Sequence, residues 1–456
     1  VKPEDAHSIY MIGIGGIGMS ALARWFLHRG CRVAGYDRVA SPITRTLTQE
    51  GAEVHYEEDP GLIPFVPDLV VVTPAIPETH IERQYLASSG IPVLKRAQAL
   101  GLICRGRKTI AVAGTHGKTT ITALTAWLLR SAGIDCTAFI GGIALNFQSN
   151  FVAGADELFV VEADEYDRSF LELVPDTAVI SALDPDHLDI YGDMDNMLSG
   201  FREFVNKRKP GGRLVVRQGL GAETWVPERE RITYGLDPDS ADMAATGLSC
   251  SEGIQRFTLH WQGKEYECAM SLPGRHNVEN AMAALSTALP YAGALEILIS
   301  ALKEFRGIKR RFEYIINRPG LVYIDDYAHH PREIEALIRS VREIYPGRKL
   351  TVVFQPHLYT RTRDLADGFA GALSEADEVI LLPIYPAREL PLPGVSSALI
   401  LDKLRVDSRA LAGKSNLLDI ISQWSPEVLL TVGAGDIDQL VDPIREYFKH
   451  SNKPSR

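Results

Sequence analysis

Cysteine is scarce in this chain of 456 residues: Cys31, Cys104, Cys136, Cys250 and Cys268 are scattered, with no C-x-x-C pair. An odd, dispersed set argues against a disulfide framework and against a thiolate zinc site, and fits reduced thiols in a cytoplasm. No apolar run approaches the roughly 20 residues that cross a bilayer, and the first residues lack a signal-peptide pattern. Positive charge is also in short supply, since 48 Lys and Arg face 58 Asp and Glu for a net charge of −10. Bulk electrostatics therefore oppose nucleic acid as the main partner, while a local cationic site for a small anion stays open. Solenoid repeats and low-complexity stretches are missing too. The expectation is a soluble, cytoplasmic protein with neither membrane nor nucleic acid as partner; oligomeric state is not readable.

What is present is ordinary globular composition, 45% apolar and 23% charged, in a chain long enough for about three domains. Its most informative stretch is T-I-A-V-A-G-T-H-G-K-T-T, Thr109–Thr120. The β-branched and apolar run 109–113 reads as a buried strand, Gly114 and Gly117 bracket a tight turn, and Lys118-Thr119-Thr120 opens a helix to about Arg130. Such a loop aims backbone N–H groups and a helix N-terminus at one spot, with Lys118 as counter-charge and the Thr119 hydroxyl as a magnesium ligand. The spacing is shorter than G-x-x-x-x-G-K-[ST], because Val112 stands where the first glycine belongs.

Two further regions point the same way. Near the N-terminus, a strand at 8–14 runs into Gly15-Gly16-Ile17-Gly18, and a second strand, 32–36, ends at Asp37. Gly13-x-Gly15-x-x-Gly18 followed about twenty residues later by an acid is a dinucleotide-type fingerprint that does not say which nucleotide is bound. Beyond the phosphate loop, the strand 158–162 runs into acids at Glu162, Asp164, Glu165 and Asp167, and the strand 177–183 leads into D-P-D-H-L-D, 184–189. Parallel strands bring their C-terminal ends to one edge. Glu162, the Thr119 hydroxyl and His187 then suit two magnesium ions, whereas Asp164, Asp167 and Asp189 read as solvated loop charges. Asn277 reads as a helix cap, and Asn280, one turn into that helix, as a contact to a base. Toward the C-terminus, D-D-Y-A-H-H-P (325–331) and Q-P-H-L-Y-T-R-T (355–362) collect polar and aromatic groups at successive strand ends.

Taken in order, G-I-G-G-I-G-M-S (13–20), A-G-T-H-G-K-T-T (113–120), E-A-D-E (162–165), D-P-D-H-L-D, G-R-H-N-V-E-N-A (274–281), R-R-F-E (310–313) and the two C-terminal motifs resemble the Mur ligase family over nearly the whole chain. The resemblance implies an α/β protein of three domains. These are a Rossmann-like UDP-sugar domain at 1–106, a central P-loop ATPase-type domain at 107–311, and a C-terminal Rossmann-like domain at 312–456. It also implies an ATP- and Mg2+-dependent amide ligase of peptidoglycan synthesis, joining L-alanine to the lactyl carboxylate of UDP-N-acetylmuramate through an acyl phosphate. Gly15, Gly16, Ile17, Gly18 and Asp37 are then expected to hold the UDP sugar. Gly114, Thr115, His116, Gly117, Lys118, Thr119, Thr120, Asn280, Arg311 and Asp326 are expected to hold ATP, and Tyr327, His329 and Arg361 L-alanine. Thr119, Glu162 and His187 would bind metal; Lys118, His187, Arg311 and His329 would serve the chemistry. Relatives often carry arginine at Leu358. Three rivals are a recycling ligase that adds a tripeptide to the same sugar, an NAD(P)-dependent oxidoreductase, and a non-catalytic nucleotide-binding regulator.

Overall fold

The computed structural model describes residues 2–185, 191–251, 253–387 and 389–450. Its chain divides into two compact units, Val1–Gly307 and Ile308–Arg456. Three sheets organise them, two in the first unit and one in the second.

The first sheet has five parallel strands, in the order Glu53–His55, Arg32–Tyr36, Ser8–Ile12, Leu69–Val72 and Val93–Lys95. Its central strands read as apolar runs because both faces are covered. The helix Ile17–His28 buries Leu22, Trp25 and Phe26 on one of them.

The second sheet has ten strands and a parallel centre. Lys108–Ala113 lies between Thr177–Ile180 and Leu158–Glu162, with Ala113 level with Ile180 and Val112 level with Glu162. That register delivers the expected edge: the loops after 113, 162 and 180 emerge together. The helix Lys118–Ser131 packs on Arg275–Ala292, and Trp127 Nε1 donates to the Ala301 carbonyl at 2.9 Å. Ile254–Trp261 and Lys264–Met270 form a hairpin, with Gln262 and Gly263 both at positive φ as its two-residue turn requires.

Within this unit, the side chain of Asn150, on the edge strand Ser149–Val152 of the second sheet, ties that sheet to the helix Ile17–His28. Fully buried, it donates to the Ile17 carbonyl and to Ser20 Oγ at 2.9 Å and accepts from Arg24. Arg29 and Arg107 add ion pairs to Asp156.

The second unit holds a six-stranded sheet in the order Glu313–Arg318, Leu321–Asp326, Val428–Val432, Leu350–Phe354, Glu378–Leu381 and Ser408–Leu411. All neighbours are parallel except the first pair. Pro331 opens the helix Pro331–Ile344, at the first turn where its missing N–H costs nothing. One local expectation fails: Asn277 is no cap. The helix starts at Arg275 after Gly274, and Asn277 lies inside it, donating back to the Pro273 carbonyl at 2.8 Å.

Candidate active site

Both glycines of the phosphate loop are required by what surrounds them. Gly114 sits at φ +131°, and a Cβ there would lie 2.8 Å from the Ala182 nitrogen; Gly117 sits at φ +82°, where a Cβ would lie 2.5 Å from Asn280 Oδ1. The loop is tied to the neighbouring strand end: Thr115 N donates to the Ala182 carbonyl at 3.0 Å, Asp184 N donates to Thr115 Oγ1 at 3.1 Å, and Ser181 Oγ donates to the His116 carbonyl. No side chain caps the helix that begins at Lys118, so its first N–H groups face the loop opening.

Lys118 Nζ donates to the Gly114 carbonyl and to Glu165 Oε1, each at 2.8 Å. Thr119 Oγ1 lies 3.1 Å from Glu162 Oε1, and Gly141 N donates to Glu162 Oε2 at 2.8 Å. Burial pushes the Glu162 carboxyl above its ordinary range, while Lys118 and the Gly141 N–H pull the other way. A buried carboxylate beside a hydroxyl is the oxygen-donor pair that a phosphate-bound Mg2+ takes from protein. Among the described residues no cluster of three or more His, Cys, Asp or Glu could hold a metal. The Thr119–Glu162 pair fits an ion whose remaining positions are filled by water and substrate oxygens. His187 lies outside the described residues.

At the first glycine loop, Asp37 Oδ2 accepts from Gly15 N at 2.7 Å, so this acid also holds the loop that it was expected to help bind nucleotide. The helix Ile17–His28 has Gly16 as its N-cap and no side-chain cap. Asn280 packs its amide oxygen against Gly117, beside the phosphate loop.

In the second unit, His329 Nδ1 lies 3.0 Å from the Tyr327 carbonyl, and His329 N and His330 N both donate to Glu333 Oε2, at 2.8 and 3.0 Å. An Nδ1–H donated to that carbonyl leaves Nε2 with its lone pair. Burial lowers the His329 pKa, and Arg361 lowers it further against the opposing pull of Glu333. Its ring stands 6.2 Å from that of His357, which stacks on Tyr385 at 5.7 Å. The Arg361 Nη1 atom is buried without a hydrogen-bond partner among the described residues. The guanidinium carbons of Arg310 and Arg311 lie 5.3 and 5.5 Å from the Tyr327 ring centroid. Both Asp326 oxygens accept from backbone: Oδ2 from Phe312 N at 2.7 Å and Oδ1 from Ala328 N at 2.8 Å.

Family models match three consecutive stretches: the Mur ligase catalytic domain at residues 8–108, the Mur ligase middle domain at 112–288, and the Mur ligase glutamate ligase domain at 310–435. This chain belongs to the Mur ligase family. A UDP-N-acetylmuramate–L-alanine ligase of Porphyromonas gingivalis is 47% identical, covering 97% of this chain and 99% of its own length. The enzyme of that name from Christiangramia forsetii is 45% identical, over 97% of each chain. Among solved structures, a UDP-N-acetylmuramate–alanine ligase from Thermotoga maritima superposes with a TM-score of 0.83 at 30% identity, over 98% of this chain and 100% of its own. The three-domain α/β fold implied by the motifs is thus established, and family membership removes the oxidoreductase and the non-catalytic regulator.

Two residues of this Mur ligase site went unread in the sequence. Glu165 was one acid among four, with nothing marking its pairing to Lys118, 47 residues away. Gly141 lies in the unread strand Thr137–Ala144; a Cβ there would come within 2.4 Å of Glu162 Oε2. The G-G pair in that strand was the available signal, since glycine inside a strand often marks a close approach.

Proposed function

We propose that this chain is an ATP-dependent ligase that joins L-alanine to the lactyl carboxylate of UDP-N-acetylmuramate in peptidoglycan precursor synthesis. The observation that carries the reading is the paired cradle Lys118–Glu165 and Thr119–Glu162 on a chain whose full-length relatives at 42–47% identity bear that enzyme's name. The same relatives favour L-alanine over the tripeptide of the recycling ligase. A murein peptide ligase from Psychrobacter arcticus, at 24% identity and a TM-score of 0.71, shares the fold.

The phosphate loop 114–120 and Lys118 hold the ATP phosphates, with Asn280 at their side. Thr119 and Glu162 would hold one Mg2+ and His187 a second, and the metal would supply neutralisation of the phosphate charge. Phosphoryl transfer to the lactyl carboxylate asks mainly for positioning and charge neutralisation, which Lys118 and Arg311 supply from the protein. Gly15–Gly18 and Asp37 hold the UDP handle. Arg361 binds the L-alanine carboxylate, Tyr327 borders it, and neutral His329 takes a proton from the ammonium group so that the amine attacks the acyl phosphate carbonyl, forming the amide as the C–O bond to phosphate breaks and inorganic phosphate leaves. Water must be excluded while the acyl phosphate exists, because hydrolysis would waste it. Asp326 acts on ATP through the backbone that it anchors. A cytoplasmic location follows from substrates of this kind; no helix among the described residues is long and apolar enough to cross a membrane.

The test is phosphate release from ATP with UDP-N-acetylmuramate and, in turn, L-alanine, glycine, L-serine and the tripeptide. L-alanine is expected to support the highest kcat/KM. Release that ignores the sugar nucleotide would sink the ligase reading, and preference for the tripeptide would move the chain to the recycling reaction.

A further inference from the structure

Arg96 is the first residue of the helix Arg96–Cys104, directly after the strand Val93–Lys95. It therefore leaves the same sheet edge as the glycine loop that follows Ser8–Ile12. Its side chain lies flat on Gly18: a Cβ at that glycine would meet Arg96 Cδ at 3.0 Å, Nη1 at 3.1 Å and Nε at 3.3 Å. The third glycine of the fingerprint thus makes room for a guanidinium. Arg96 Nη2 reaches the other way, to Asp164 Oδ2 at 3.3 Å, while Nε and Nη1 have no hydrogen-bond partner among the described residues. Arg96, Asp164 and Glu162 line one small cavity of about 10 Å³, room for a single water. The helix is fixed there by Gly101, where a Cβ would lie 2.5 Å from the Glu172 carbonyl oxygen.

We propose that Arg96 is a positioning residue for the sugar nucleotide, its Nε and Nη1 binding the diphosphate beside the first glycine loop while Asp164 orients the guanidinium. The proposal rests on the assignment of that loop to a UDP sugar. A guanidinium offers two N–H groups in a plane that matches phosphate oxygens, which one helix N-terminus cannot supply alone.

The experiment is calorimetric binding of UDP to the full-length wild type, Arg96→Gln, Arg96→Lys and Asp164→Asn, with KM for UDP-N-acetylmuramate and for ATP measured on each. Arg96→Gln is expected to weaken UDP binding about tenfold or more and to raise KM for the sugar nucleotide, with KM for ATP within about twofold. Arg96→Lys recovers part of the affinity, and Asp164→Asn, which loosens the guanidinium but leaves it present, weakens UDP binding clearly less than Arg96→Gln does. UDP binding by Arg96→Gln within twofold of wild type overturns the proposal. So does an Asp164→Asn defect as large as that of Arg96→Gln, which would make Arg96 a strut between the two segments. A wild type that binds no UDP would instead remove the sugar-nucleotide reading on which the proposal stands.

Discussion

Lys118 is held by Glu165, Nζ to Oε1 at 2.8 Å, and the Glu165 side chain is only 1% exposed. An arriving phosphate competes with a built-in carboxylate for this lysine. Glu165→Gln is expected to lower the unfolding free energy of the nucleotide-free protein by about 1–3 kcal/mol, the range for disrupting a largely buried charged hydrogen bond. Saturating ATP and Mg2+ should narrow that gap, as read by urea unfolding with and without nucleotide. An unchanged gap would mean that Glu165 keeps Lys118 in the bound state. Lys118→Ala should lose acyl-phosphate formation and still bind the sugar nucleotide.

Gly141 is the floor under Glu162. In Gly141→Ala the new methyl would stand 2.4–2.5 Å from the carboxylate atoms, so Glu162 has to move away from Thr119. The Gly141 backbone is not in the left-handed region, so the fold survives. The Mg2+ concentration for half-maximal activity is expected to rise about tenfold, as expected when a ligand's support is disturbed. A Mg2+ titration of phosphate release reads this directly, and an unchanged midpoint would take Glu162 out of the metal site.

His329 has its pKa lowered chiefly by burial, so its neutral form extends below the ordinary value of about 6.5. The acid limb of kcat/KM for L-alanine should therefore fall below that pH, and His329→Gln should flatten it. The same shift links to stability: the unfolded state binds the proton first, so this histidine's contribution is complete above about pH 6.5 and is lost as pH drops through the folded value. A pH–rate profile of wild type and His329→Gln checks the first statement, and urea unfolding across pH 5–7 the second.

Leu358 occupies φ +71°, ψ 137°, far from any basin that a leucine prefers, at the N-cap of the helix Tyr359–Leu373. Strain of about 1–3 kcal/mol is usual for such a residue. Leu358→Gly is expected to raise the unfolding free energy by about 1 kcal/mol once glycine's extra chain entropy is subtracted. A decrease of similar size in urea unfolding would show that side-chain packing outweighs the backbone.

The parts legible in the sequence were those that a local pattern encodes. The strand–turn–helix of 108–131 carries its own glycines, lysine and threonine, and the strands 158–162 and 350–354 are apolar because they are buried on both faces. Short or half-exposed strands such as Glu53–His55 and Ser408–Leu411 lack that signature and went unread. Side-chain partnerships across the fold were hidden for a different reason. Nothing near Asp326 says that its oxygens are spent on Phe312 and Ala328, and nothing near Gly18 says that Arg96 lies on it. Such pairings arise only when distant strand ends meet at one edge.

Asn150, buried on the strand Ser149–Val152, carries a consequence for substrate size. Because it grips the first turn of the helix Ile17–His28 from the second sheet, the two glycine loops stand at a separation set by the scaffold. On the proposed assignment of those loops, a sugar nucleotide one bond shorter or longer is expected to set its carboxylate out of register with the second loop.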